Sequence, residues 1–344
     1  MSEPIRFGLI GAGGIAQSYL QVFAGLKSAR IAAVADVRLE AATSAAEALG
    51  CDAFGSWEEL ADEATLDAVI ICTPPATHAE IALKFLAKHI AVLCEKPFAV
   101  DLASACELAE ASQATQTLLT MASKFRYVSD VIRAKSILTS GILGEIILFE
   151  NVFASRAKMS NRWNSDPSVS GGGVLIDNGT HSVDIIRYFL GPIAEVLAVE
   201  GNRVQTLEVE DTVQMFVRAE SGARGTIDLS WSLDKERDSY IEIYGSNGTV
   251  RVGWKESKFR QATSPDWVVF GSGYDKVGAM RAQVENFCRA LRGQEPLLIT
   301  VEDAIASVAV VEQAYRSLND SRWVRVGDRG NARSPSGPIH KTAV

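Results

Sequence analysis

Apolar positions along residues 5–122 come in short, almost unbroken runs: IRFGLI (5–10), RIAAVA (30–35), DAVIIC (67–72), IAVLC (90–94) and TLLTMA (117–122). None alternates strictly with polar residues, which is how strands covered on both faces by helices read. Between the first two runs, Ile15, Tyr19, Val22, Phe23 and Leu26 recur at helical spacing and make an amphipathic crossover. Repetition of strand, helix and strand predicts a doubly wound α/β domain with a parallel sheet and right-handed connections.

The rhythm changes near residue 123. Val213, Met215 and Val217 alternate with Thr212, Gln214 and Arg218, and Ile227, Leu229 and Trp231 alternate with Thr226, Asp228 and Ser230. Period two with one polar side predicts antiparallel strands. Asn247-Gly248 sits between two such strands and predicts a tight primed turn with positive φ. The mixed outer side of this sheet, expected to carry Phe216, Tyr240, Glu242 and Tyr244, suits a contact between copies of the chain. Helical patterns over 276–292 and 301–318 close the region and are free to pack back toward the first domain. The expected division is 1–123 and 124–327, with a non-periodic Gly, Pro, Ser and Arg segment at 328–344 read as disordered.

Composition narrows the class. The chain has 344 residues, a length suited to about two domains. Its net charge of −8 opposes binding of nucleic acid, which depends on Lys and Arg neutralising phosphates. Five cysteines (Cys51, Cys72, Cys94, Cys106, Cys288) lack CxxC or metal-ligand spacing and read as reduced, mostly buried thiols. With no secretory leader and no apolar run of about 18 residues, a soluble cytoplasmic protein without membrane partners is expected.

The first strand ends at Gly11-Ala12-Gly13-Gly14-Ile15-Ala16, which opens the first helix. Gly11 permits a tight turn, Gly13 lets backbone approach a pyrophosphate, and the helix N-terminus offers free N–H groups to an anion. Asp36 ends the second strand, where a carboxylate accepts from a ribose diol and repels a 2′-phosphate. NAD is therefore favoured over NADP, although Arg38 can offset part of that repulsion. Thr73, Pro74 and His78 follow the third run, and Glu95-Lys96-Pro97 follows the fourth, both at the carboxyl edge where open α/β sheets bind ligands. On a helix opened by Gly171-Gly172-Gly173, Asp177, His181 and Asp184 share one face, and Gly179 leaves that helix thin beside a ligand. A metal held by Asp177 and His181 is disfavoured, because no dense group supplies further ligands.

Together the glycine turn, the Glu95-Lys96-Pro97 tripeptide and the GGG…DxGxH pattern at 171–181 resemble the glucose-fructose oxidoreductase/inositol dehydrogenase (Gfo/Idh/MocA) family over about residues 5–325. The resemblance implies an N-terminal Rossmann domain and a C-terminal α+β domain on a large, mostly antiparallel open sheet. It maps Lys96, Asp177 and His181 onto the family's lysine, aspartate and histidine beside the reacting carbon. Trp163 matches a tryptophan near the nicotinamide, and Lys124-Phe125-Arg126-Tyr127 matches a stretch that contacts ligand. The implied activity is nicotinamide-dependent oxidation of a secondary alcohol of a sugar or cyclitol. In it Lys96 polarises the oxygen and His181, oriented by Asp177, exchanges the proton, although Lys96 as the acid/base is also open. Arg126, Tyr127, Arg156 and Arg162 are candidates for holding substrate, the arginines for a carboxylate or phosphate. A homodimer or homotetramer through the C-terminal sheet is expected. An NAD-dependent glycosidase and a non-catalytic NAD-binding regulator are the competing functions.

Overall fold

The structure, a computed structural model, describes residues 3–327. The segment read as disordered, 328–344, lies outside the described residues. Six strands, β1 (Ile5–Ile10), β2 (Ala29–Ala35), β3 (Asp52–Phe54), β4 (Ala68–Ile71), β5 (Ala91–Glu95) and β6 (Leu119–Ala122), form one sheet in the order β3-β2-β1-β4-β5-β6. All its pairs are parallel. The crossovers are α1 (Gly14–Phe23), α2 (Leu39–Leu49), α3 (Trp57–Glu63), α4 (His78–Ala87) and α5 (Leu102–Thr115). β3, too short to leave an apolar signature, is the one strand the hydrophobic pattern does not show.

Both faces of this sheet are apolar because both are covered. Phe7, Leu9, Val34, Ile70 and Leu93 form one core with Tyr19 and Val22 of α1. Ile10, Ala33, Val69, Ile71 and Val92 form another with Leu60, Phe85 and Leu108 of the helices opposite. The second core continues without a break into the next sheet.

That sheet has nine strands in the order β14-β13-β12-β11-β7-β10-β9-β8-β15. After α6 (Ser129–Thr139) come β7 (Ile146–Ala154), the short α7 (Pro167–Ser170) and α8 (Val174–Leu190). Then follow β8 (Ile193–Glu200), β9 (Thr212–Ala219), β10 (Arg224–Ser230), β11 (Ser239–Gly245), β12 (Gly248–Gly253), β13 (Ser257–Gln261) and β14 (Val268–Gly271). Helices α9 (Lys276–Leu291) and α10 (Val301–Asp320) precede β15 (Val324–Arg325). Only β7 and β10 pair in parallel. Helix α9 returns to the first sheet, where Phe287 meets Phe7.

Three local expectations are corrected. The two residues joining β11 to β12 are Ser246 and Asn247, since Gly245 pairs with Gly248, and neither has positive φ. The link is held from outside: Ser246 N–H donates to the Glu145 carbonyl and Asn247 N–H to that of Leu143. A Cβ on Gly245 would lie 2.1 Å from the Leu143 oxygen, so close approach rather than turn type calls for glycine there. A register shift between Ser239 and Ile241 turns Tyr240 off the outer side. Its ring is buried against Phe125, Phe153 and Trp254. Glu242 stays outside but is enclosed by Ser239, Tyr244 and Arg251. Finally, only Cys94 and Cys288 are buried; the other three thiols are half-buried, and all five are free.

Candidate active site

One continuous cleft runs from the carboxyl ends of β1, β2 and β4 to the N-terminal half of α8. Its first part, about 820 Å³, is lined by Gly11, Gly13, Gly14, Asp36, Arg38, Thr73 and Pro74. The second, about 780 Å³, is lined by Glu95, Lys96, Lys124, Asp177, Asn178 and His181. Ile15, Cys72, Thr73, Arg162 and Trp163 border both.

The first part is shaped by backbone. Gly11 has φ +90°, and a Cβ there would meet the Cys72 carbonyl group at 2.9 Å, so the β1 turn can lie against β4 only with glycine. Above Gly13 and Gly14 a Cβ would find nothing within 4 Å, so the space over the turn is open. Among the described residues no side chain caps the N-terminus of α1. Its first N–H groups and its positive dipole end therefore face that space. Asp36 accepts from Ala12 N–H at 2.8 Å and from Arg38 N–H at 2.9 Å. Those backbone donors and the Arg38 guanidinium outweigh partial burial and hold its carboxyl below the usual range. An open, uncapped turn at the β1/β4 switch point, flanked by a fixed carboxylate, fits the pyrophosphate and ribose of NAD.

Side chains from separate elements shape the second part. The Lys96 ammonium, at the end of β5, forms an ion pair with the Asp177 carboxylate and donates to the Asp177 carbonyl at 3.1 Å. Glu95 accepts from the Tyr19 hydroxyl at 2.8 Å, and Gln283 of α9 backs that hydroxyl at 3.2 Å. His181, one turn beyond Asp177, is buried and sits edge-on to Phe125 at 5.0 Å. Its Nε2 lies 3.2 Å from Lys124 Nζ, while its Nδ1 has no partner among the described residues. Burial, with Lys124 and Lys96 nearby, pushes the imidazole well below its ordinary value and keeps it neutral. Burial and the Lys96 charge also lower Lys124, to about 8.

Several expected roles change. Asp177 does not orient His181, because its carboxylate is engaged by Lys96. Asp184, at the far end of the same helix face, is buried with Arg126 and Ser123 and does not line the cleft. His78 is fully buried, with Nδ1 2.8 Å from the Pro97 carbonyl and Nε2 2.9 Å from that of Thr73. It ties together the two loops that carry Thr73 and Lys96 and does not line the cofactor cleft. Arg126 lies in a buried ion-pair network with Asp184 (2.7 Å) and Asp303 (2.9 Å), and the Tyr127 hydroxyl donates to Asn286 at 2.9 Å. Neither reaches the cleft. Arg156 is exposed outside it, whereas Arg162 and Trp163 stand at its mouth. Gly179 faces Leu229 of β10, 3.1 Å from a Cβ position, so its smallness serves helix-on-sheet packing and not a ligand.

Three features escaped sequence reasoning. Lys124 was legible only as a member of the linking stretch. Lys276, at the start of α9, enters the same lining from the other end of the domain. The orientation of α8 depends on buried Glu210, which accepts from Gly173 N–H and Leu175 N–H at 3.0 Å and from the Tyr315 hydroxyl at 2.9 Å. A carboxylate at a helix N-terminus satisfies free donors and meets the positive dipole end. Nothing in the spacing of residues 173, 210 and 315 announces it.

Fold and cleft together define an NAD-binding oxidoreductase. Residues 5–123 match the "Oxidoreductase family, NAD-binding Rossmann fold" and residues 131–251 the "GFO/IDH/MocA C-terminal domain". The chain belongs to the Gfo/Idh/MocA oxidoreductase family. It is 25% identical over 344 residues to inositol 2-dehydrogenase of Rhizobium meliloti, covering 94% of this chain and 99% of that protein. With myo-inositol 2-dehydrogenase of Thermotoga maritima it shares 24% identity over 341 residues, covering 94% and 98%. Levoglucosan dehydrogenase solved with NADH superimposes with a TM-score of 0.87 at 20% identity, covering 94% of this chain and 99% of that one, a likeness of fold.

Proposed function

We propose that this chain is an NAD-dependent dehydrogenase that interconverts a secondary alcohol and a ketone on a sugar, cyclitol or related polyol. The observation that carries this reading is that Lys96 and His181, from the end of β5 and from α8, line the same second cavity, which shares Ile15, Cys72, Thr73, Arg162 and Trp163 with the cofactor cleft. The near full-length likeness to inositol 2-dehydrogenases supports the substrate class.

Bound NAD⁺ supplies the acceptor for the hydride that leaves the carbinol carbon. The Lys96 ammonium, fixed by the Asp177 carboxylate and carbonyl, donates to the substrate oxygen and stabilises charge developing on it. Neutral His181 takes the hydroxyl proton on Nε2. Asp177 acts as a positioning residue for Lys96. In the reductive direction the same groups return the proton. A fluorescence screen for NADH formation over cyclitols, aldoses, uronic acids and nucleotide sugars tests the reading. Glycosidic cleavage without net NADH would overturn it in favour of transient oxidation.

Two further assignments belong to the same reading. The outer side of the nine-stranded sheet, with Phe216 39% exposed, is the proposed contact between copies in a homodimer or homotetramer, which sizing with light scattering checks. The five free thiols support a cytoplasmic location, and among the described residues no helix is long and apolar enough to cross a membrane.

A further inference from the structure

Charge around the second cavity is unevenly matched. Lys96 is held by Asp177, and Lys235 by Asp228 at 2.5 Å. Lys124, Lys276 and Arg162 also line the cavity, yet none has a carboxylate within ion-pair distance among the described residues. Lys124 is the deepest of the three. It sits at the cleft floor, 5.0 Å from the Phe125 ring centroid, and its one hydrogen-bond contact among the described residues is His181 Nε2. An ammonium so enclosed faces another cation and an imidazole, and its nearest carboxylates, Glu95 and Asp177, stand beyond ion-pair distance.

The contact with His181 has a chemical consequence. An N–H of Lys124 directed at Nε2 occupies the lone pair that must take the substrate's proton. For His181 to act as a base, Lys124 must turn to a better acceptor, and the substrate has to bring it. With Lys124 Nζ and His181 Nε2 3.2 Å apart, an acceptor on the carbon next to the carbinol lies within reach of Lys124. A carboxylate bonded directly to the chain meets that spacing, while a phosphate ester interposes an extra oxygen and a tetrahedral phosphorus.

Resting on the site assignment under Proposed function, we propose that the substrate is a polyol or sugar acid whose carboxylate pairs with Lys124 beside the reacting carbinol, with Lys276 as the outer cation. The carboxylate frees His181 Nε2 as it binds. The positive end that sequence reasoning sought in Arg126, Arg156 and Arg162 is thus built from lysines at 124 and 276, with Arg162 of that set at the cavity's mouth.

Groups facing Lys124 are Glu95 at the end of β5 and Lys96 just after it, Asp177 and His181 on α8, and Lys276 on α9. With Lys124 at about 8, the ammonium that pairs with a carboxylate is present below that pH and lost above it.

The test is calorimetric titration of the full NAD⁺-loaded chain with D-gluconate, its neutral counterpart D-glucitol, and D-glucitol 6-phosphate. Gluconate is expected to bind at least about tenfold tighter than glucitol. That advantage should collapse in Lys124→Met and be largely kept in Lys124→Arg. Gluconate affinity should fall by up to about tenfold per pH unit above 8, with glucitol unchanged. Equal affinities for gluconate and glucitol, an advantage that survives in Lys124→Met, or tighter binding of the phosphate would each overturn the proposal. These readouts need no turnover, so they stay separate from the reading above, which fails if Lys96→Met and His181→Asn leave NADH formation intact.

Discussion

The two parts of the cleft are built by opposite means. At the cofactor end the phosphate and ribose positions are set mostly by main chain, a glycine turn and an uncapped helix start with one carboxylate, all within residues 11–38. At the chemical end it is side chains from four places, Lys96 after β5, Lys124 after β6, Asp177 and His181 on α8, and Lys276 on α9. Main chain binds a common group, the pyrophosphate, by geometry that depends on little beyond local φ and ψ. Side chains gathered from afar can be exchanged one at a time, so substrate choice can change without disturbing the cofactor. The cost is support. Each distant side chain needs buried polar contacts to hold it, such as Glu210 at the start of α8 and Arg126 between Asp184 and Asp303.

This contrast can be broken by experiment. Arg126→Met leaves fully buried Asp184 without its cation, while Asp303 keeps Arg187 at 3.4 Å, and should cost about 3–5 kcal/mol of stability by denaturant unfolding. A raised KM at unchanged stability would instead make Arg126 part of the substrate site. Lys96→Met and His181→Asn should each lower kcat by at least about 10², with NAD⁺ affinity by fluorescence titration near that of the parent. If NAD⁺ binding collapses in either variant, the two ends are not separable. Gly11→Ala forces a left-handed residue against the Cys72 backbone. It should weaken NAD⁺ binding at least tenfold and cost about 1–3 kcal/mol of stability. The smallest expected effect is an absence: an ordinary histidine protonates near pH 6.5, whereas His181 is held well below that. Its base form therefore persists on acidification, and kcat/KM for alcohol oxidation should stay level from about pH 7.5 to 6. A fall through 6.5 would show that the imidazole of the free enzyme titrates as an ordinary histidine.

Much of the fold was legible because burial on two faces and burial on one face leave different periods. The run 5–10 coincides with β1, and the late helical patterns lie within a residue or two of α9 and α10. Tyr240 was misplaced because a bulge reverses facing without changing the alternation that precedes it. Gly179 and His78 were misread for a common reason: small or polar residues near a site look alike in sequence whether they touch ligand or scaffold. His78 meets carbonyls of residues 73 and 97, and Gly179 meets Leu229, contacts defined by packing alone.

Local chemistry was enough to set the alternation of buried strands, the glycine turn with Asp36, and the helical stagger of Asp177 and His181, because each is governed by interactions within a few residues. Which partner each charged group takes was left to the folded chain. Asp177 holds Lys96 rather than His181, Arg126 is consumed in the core, and Lys124 faces the imidazole. Pairing energies depend on distance and on exclusion of water, and neither exists until strands, α8 and α9 close around the cleft.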